Sequence, residues 1–542
     1  MSLRNRIFLP IILSAFGVSL GCGGNGVTIT RPTPPPTGGF SQSNLNGTYV
    51  FSSSGTDTNG FAYAMVGTFS ANGSGGISGG VLDINDAGFS ASSPVINPVA
   101  NASITSGSYT LGVDGRGQIK LSNNTPFGPQ IILDFVLQDS THGLVTEFDG
   151  NASGSGSLDL QASGTTPTGS YAFIFSGAYG NSFIATIGNF TLNGSAMSGL
   201  QDLNAQGIPY AGETLSGAFA LGPSSTPATQ ISSAISGSSP NFVITYDVFA
   251  IDATHLKFIE MDANGTLSGD AFAQSSTTFP TGTLAFTLLG STSSAVIGAG
   301  GFMVTDGSGN ITNASTEDVN NTGFVSASFI NFSGTYTAGG TGRYTLGSFV
   351  NFVGGTEYVA YPSNGGVLLL EMDPAGMMAG AAYPQTAGAT LDSSQGYAMN
   401  MSGINLGLAT GQSAEVDDIA EFATASSGGT LTGITDENFA PGSSPIYALA
   451  LSGNYNTPDS NGRGQLGASA GNSTTSTLNG GFNLTYYAVD GTTFPFIETD
   501  NGQVTAGVFV KQNSSASSSA ATRAHMYVLP PMAHSRFAWK QK

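Results

Sequence analysis

Four pairs of carboxylates stand at one fixed spacing in this chain: Glu147-Phe-Asp149, Glu260-Met-Asp262, Glu371-Met-Asp373 and Glu498-Thr-Asp500. Each opens the pattern E-x-D-x6-G-x4-Q, which closes at Gln161, Gln274, Gln385 and Gln512 without insertion or deletion. On a strand, residues two apart share a face, so each Glu and Asp lie side by side. Such a pair could bind a metal or hydrolyse a glycoside. Neighbours on one strand face are only about 7 Å apart at the backbone, however, and retaining glycosidases place their pair across a cleft. The glutamates also share their face with apolar residues (Val145, Phe258, Leu369, Phe496). A carboxylate at the edge of a core needs a partner, so the preferred reading is structural: Glu paired with backbone amides or arginine, and Asp starting a turn.

A second motif, D-x-N, also occurs four times: Asp83-Ile-Asn85, Asp202-Leu-Asn204, Asp318-Val-Asn320 and Asp436-Glu-Asn438. The first three reach a glycine three residues later. Alternating Asp and Asn oxygens before a glycine suggest calcium, which makes Asp83, Asn85, Asp202, Asn204, Asp318 and Asn320 weak calcium candidates. The further ligands of a calcium loop do not recur, and an Asx turn is the simpler reading. Matches to G-x-S-x-G at Ser78 and Ser469 precede no helix, as a nucleophile elbow would require. His142 and His255 read as turn residues. Cys22 is the only cysteine and there are four histidines, so no disulfide and no Cys-based metal site is expected. No catalytic residue, metal or cofactor is assigned. Repeat four alone carries Glu415, Asp417, Asp418 and Glu421 together, either a divergent site or a solvated loop.

Three arginines occupy matching G-R turns, Gly115-Arg116, Gly342-Arg343 and Gly462-Arg463; repeat two lacks one and has Lys257 on its E-x-D strand. The expected ion pairs are Arg116 with Glu147, Arg343 with Glu371 and Arg463 with Glu498, because a guanidinium holds a carboxylate with two hydrogen bonds.

The glutamates are 113, 111 and 127 residues apart, so each repeat is domain-sized. Expected β-repeats span 44–162, 166–275, 279–386 and 391–513. Each begins with a strand of alternating apolar residues, such as Tyr49 and Phe51, with one buried face. Gly/Ser/Asn clusters of hairpin type then separate about eight short strands. The fold class is all-β: four tandem antiparallel eight-stranded meanders, each a small barrel or, alternatively, a sandwich. The barrel is favoured, because the links are short and a Greek key needs a long crossover. The meander resembles calycin-type barrels, although it carries no motif of that family.

Before the repeats, Arg4 and Arg6, an apolar run from Ile7 to Leu20 and Gly21 form an export signal over 1–21. With Val18-Ser-Leu-Gly-Cys22 at its end, this segment resembles a bacterial lipoprotein signal. The resemblance implies lipidation of Cys22 and cleavage before it, and Gly23 implies sorting to the outer membrane. Residues 22–43 hold the anchor and a Pro-rich stalk; 514–542 form a basic, disordered tail. Between these ends lie all 33 acidic residues, an excess that disfavours nucleic acid and direct adhesion to an anionic membrane face by repulsion. The expected membrane link is the lipid anchor alone, with an unknown surface ligand or protein partner. The sequence therefore points to a non-catalytic, lipid-anchored surface repeat protein, structural or adhesive. The alternative is an array of barrels binding a small apolar or carbohydrate ligand.

Overall fold

The computed structural model describes residues 39–515, apart from 89–96, 126, 165, 180–181, 206, 220–228, 236–241, 263–264, 293–295, 408–412, 426–428, 442–444 and 471–481. The signal, Cys22, most of the stalk and nearly all of the tail lie outside the described residues. All four repeats belong to one compact unit.

Repeat one forms β1 (Asn46–Asp57), β2 (Ala62–Asn72), β3 (Gly76–Asp86), β4 (Val99–Leu111), β5 (Arg116–Asn123), β6 (Gln130–Asp139), β7 (His142–Glu147) and β8 (Ala152–Leu160). Each strand pairs antiparallel with the next, and β8 returns to β1, which closes a barrel. The turns follow from local chemistry. Asn72 Oδ1 accepts the amides of Ser74 and Gly76, both at 2.9 Å, while Gly73 turns the chain at φ +73°, a conformation that costs glycine little. Barrel three runs from β17 (Gly282–Thr292) to β24 (Gly376–Pro384), and barrel four from β25 (Gly396–Asn405) to β32 (Gln503–Lys511). Both close in the same order. Barrel two, from β9 (Gly169–Tyr179) to β16 (Ser268–Ala273), has the same cyclic order, with β12 (Ile208–Ala218) beside β13 (Thr229–Ile235). The fold is four tandem eight-stranded antiparallel barrels, and the sandwich is excluded.

Aromatic rings fill the interiors. In barrel four Phe494 stacks on Phe509 at 4.9 Å, flanked by Tyr397, Phe422 and Tyr486. In barrel two Phe175 meets Phe173, Tyr246 and Phe258. The expectation of strands with one buried face needs correction. β7 is buried at all but its first residue, and β15 (His255–Glu260), β23 (Val367–Glu371) and β31 (Thr493–Glu498) throughout. Their outer faces pack on another barrel. Val50, Ala64 and Val66 of barrel one meet Phe249, Ile251 and Ile259 of barrel two. Val136 and Leu144 of barrel one meet Ala398, Ile419, Val508 and Val510 of barrel four. A larger apolar cluster joins barrels two, three and four. The barrels thus form a closed ring, each seated on the next and the fourth on the first.

Candidate functional site

The recurring polar residues build the seams of this ring. The asparagine of D-x-N sends its amide into the next barrel, onto the turn after the E-x-D strand. Asn85 donates to Glu260 O (2.8 Å) and Gly265 O (2.7 Å). Asn204 donates to Glu371 O (2.7 Å) and Gly376 O (3.0 Å), and Asn320 to Glu498 O and Gln503 O, both at 2.9 Å. Asn438 closes the circle on Glu147 O (2.6 Å) and Ala152 O (2.8 Å). All four are buried, where a backbone carbonyl without a donor is costly. The side chains donate to carbonyls where a cation would need carbonyl oxygens free. Neither the calcium reading nor a purely local Asx turn accounts for them, although Asn204 Oδ1 also accepts the Gly207 amide (2.8 Å).

The aspartate of the same motif has a double task. One oxygen accepts the amide of a left-handed residue on the following strand: Asn101 (2.5 Å), Gly212 (2.7 Å), Phe329 (3.0 Å) or Ala448 (2.5 Å), with φ between +53° and +65°. The carboxylate also takes the arginine of the next barrel. Arg343 holds Asp202 (Nη2–Oδ1 2.7 Å) and Arg463 holds Asp318 (2.8 Å); Arg116 holds Asp436 (3.1 Å) and its own Asp114 (3.1 Å). Tyr361 and Tyr487 hydroxyls join Asp202 (2.6 Å) and Asp318 (3.0 Å).

The expected pairs of Arg116 with Glu147, Arg343 with Glu371 and Arg463 with Glu498 are therefore incorrect, and strand parity explains why. Arg116 lies opposite Val136, on the outer face, whereas Glu147 lies opposite Leu133, on the inner face. Successive strand residues face opposite sides, so the guanidinium meets a neighbouring barrel and the glutamate its own core.

The closing glutamine of each unit pins the other end of the seam. Gln161 donates to Ala250 O (2.7 Å), Gln274 to Pro362 O (2.7 Å), Gln385 to Ala488 O (2.9 Å) and Gln512 to Leu137 O (2.9 Å). This explains the glycine of the G-R turns. Gly115, Gly342 and Gly462 have φ of +81° to +92°; a Cβ would strike the amide of Gln512 at Gly115 and of Gln385 at Gly462, and would crowd Thr277 and the amide of Gln274 at Gly342.

The E-x-D glutamates point into the barrels. Glu260 Oε2 accepts the Leu267 amide (2.9 Å) and Glu498 Oε2 the Thr505 hydroxyl (2.9 Å). Burial, then the neighbouring aspartate's charge, raises all four glutamates; Glu371 is pushed up to about 9. Burial thus favours their neutral form. The aspartates start turns: Asp149, Asp373 and Asp500 accept the amides of Asn151 (2.8 Å), Ala375 (2.7 Å) and Gly502 (2.9 Å). With each glutamate at most 4% exposed, no substrate reaches the pair.

The seam between barrels one and two departs from the plan. Asp83 meets no arginine and faces Asp247 of β14 (Phe242–Ala250), and burial pushes it up to about 8. Near the other end Lys257 crosses the seam, between Asp159 of barrel one (3.5 Å) and Asp270 of barrel two (3.0 Å). His142 binds Asp159 (2.6 Å) and His255 binds Asp270 (2.7 Å). Lys257 Nζ also donates to Ser157 Oγ (2.8 Å). This has the atoms of a Ser–Lys dyad, but its two aspartates raise Lys257 and hold Asp270 down at about 2. A permanently charged ammonium is no general base.

The acidic group of repeat four is not a solvated loop. Glu415, Asp417, Asp418 and Glu421 lie on β26 (Ala414–Thr424) and are fully buried. Asp417 accepts the hydroxyls of Ser153 (2.6 Å) and Ser155 (2.7 Å) in barrel one, at the seam that no short linker joins. Most of the 33 acidic side chains are buried, so the acidic excess does not lie on the surface and repulsion is a weaker argument than composition suggests. Among the described residues no group of His, Cys, Asp or Glu is arranged to hold a metal, and no helix is long and apolar enough to cross a membrane. A polar groove of about 1040 Å³ lies on the outside of barrel four, lined by Asn454, Gln465, Ser469, Asn483, Thr499 and Asn501. The left-handed residues and the tyrosines on the seam aspartates were not singled out from sequence, because their types vary among repeats.

No protein-family model matches the chain, and no curated protein is similar to it. Among solved structures, the chain is similar to isotype 1 transferrin binding protein B from serogroup B Neisseria meningitidis. That match has 10% identity and a TM-score of 0.21, over 68% of this chain and 82% of that one. It is also similar to a mutant of transferrin binding protein B from Haemophilus parasuis, at 9% identity and a TM-score of 0.17, over 69% and 83%. At such scores neither likeness assigns a family or a partner.

Proposed function

We propose that this protein is a non-catalytic surface module, structural or adhesive. It is exported, anchored through a lipid on Cys22 and raised by its Pro-rich stalk. One observation carries the non-catalytic part: the recurring polar residues join barrels or close turns, and the barrel interiors are filled by aromatic side chains. A filled barrel has no room for a ligand. What remains is a ring presenting loops and hairpin tips. The chain enters β1 and leaves β32 at the glutamine end, so the E-x-D turns are displayed at the end away from the tether. Labelling cells with a radioactive fatty acid, with wild type beside Cys22→Ser, tests the anchor. Label in wild type alone is expected; equal label, or none in either, overturns it. Protease treatment of intact cells then tests display, and a chain resistant until the cells are broken open overturns it.

A second reading, binding of a polar ligand such as a carbohydrate, is favoured by the amide-lined groove on barrel four. Asn483→Ala combined with Gln465→Ala would abolish glycan-array binding on that reading, and a wild-type chain that binds no glycan ends it.

A further inference from the structure

At three seams the buried aspartate of D-x-N is held by a cation from the next barrel: Asp202 by Arg343, Asp318 by Arg463 and Asp436 by Arg116. At the fourth, between barrels one and two, the same aspartate meets a carboxylate. Asp83 and Asp247 are at most 2% exposed, Asp83 Oδ2 and Asp247 Oδ1 are each buried without a hydrogen-bond partner, and the two carboxylates interact. Two carboxylates in contact in a buried seam cannot both carry charge. Among the described residues no cation pairs with them. On β4 the Asn101 amide donates to Asp83; the strand partner of Asp83 is Val66 on β2, and those of Asp247 are Ile259 on β15 and Gln230 on β13. Elsewhere on this seam, among the described residues, Lys257, Asp159, Asp270, His142 and His255 pair with one another.

We propose that a proton taken from solution fills the place that arginine fills elsewhere, which makes the seam between barrels one and two a pH-dependent joint. The proton sits between Asp83 Oδ2 and Asp247 Oδ1, one acid donating to the other carboxylate. A buried divalent ion fits less well, because two carboxylates fall short of the six to eight oxygens that calcium requires. At Asp202, Asp318 and Asp436 no such proton is needed, since a guanidinium keeps its charge throughout the accessible range.

The direction follows from linkage. Closed, the pair keeps its proton up to about pH 8; open, each aspartate releases it near pH 4. The proton therefore favours closure fully below about pH 4, and its contribution disappears as pH rises to about 8. Over that range the opening equilibrium rises roughly tenfold per pH unit and then levels off.

Hydrogen–deuterium exchange on the full chain, corrected for the intrinsic rate at each pH, reads this directly. Peptides covering β3 and β14 are expected to show the rise, and peptides around Asp202 and Asp318 a shallower one. Asp247→Asn supplies a permanent donor to Asp83 and should flatten the β3 response while leaving the arginine seams unchanged. Asp83→Asn, the reciprocal change, should do the same and guards against misfolding of the first variant. A β3 response no steeper than that near Asp202, or one that persists in a folded variant of either kind, overturns the proposal.

Discussion

The seams of barrels one–two and two–three are both apolar and have the same asparagine and glutamine clasps, but they balance a buried aspartate differently. Arg343 meets Asp202 with two nitrogens, and Tyr361 adds a third donor. In the other seam Asp83 is left with Asp247, and the crossing cation, Lys257, stands on a different strand. A repeat architecture can evidently keep its hydrogen-bond clasps fixed while the charge compensation moves. The reason is directional: an amide capping a backbone turn requires one geometry, whereas a buried carboxylate only needs its charge neutralised, by arginine, lysine or a proton.

The harshest way to break the comparison is to remove both seams of a barrel at once. Residues 166–275 expressed alone would expose Ala172, Ile174, Ala185, Ile187 and Phe272, which are now buried against other barrels. We expect that fragment to associate or unfold, whereas the four-barrel chain stays monomeric; light scattering distinguishes them. Next, Arg343→Met strands the fully buried charge of Asp202 and should cost about 3–5 kcal/mol in urea unfolding. Asn204→Ala spares the charge but leaves two buried carbonyls without a donor, for about 1–3 kcal/mol.

The pH dependence sharpens the comparison further. Glu371, held up at about 9 by burial and Asp373, stabilises the fold fully below its unfolded value near 4.5, and that stability disappears as pH rises through about 9. Asp270, held down at about 2 chiefly by Lys257 against the cost of burial, contributes above about pH 4 and is lost as pH falls through about 2. Thermal unfolding should therefore be most resistant near pH 4–5 and decline at pH 9. Glu371→Gln, which retains a neutral side chain, should lessen the alkaline decline. The smallest effect belongs outside the seams: Lys511→Ala removes a half-exposed ion pair with Asp392 and should change stability by less than about 1 kcal/mol.

The sequence by itself determined the repeat and its strands. The invariant spacing of E-x-D-x6-G-x4-Q marks a closing segment of constant length in repeats that otherwise differ in length. Alternation such as Tyr49-Val-Phe51 and turns such as Asn72-Gly-Ser-Gly-Gly76 determine strands and hairpins locally. Those signals lie within a few residues, where side-chain parity and backbone freedom act. Which residues meet was decided only by tertiary structure. Arg116 and Glu147 look like partners because both recur in the same repeat, yet they stand on opposite faces of the barrel wall. The true partner, Asp436, is 320 residues away and meets Arg116 only because barrel four closes on barrel one. A ring joins residues by rotation between copies, and no spacing within a copy records that rotation.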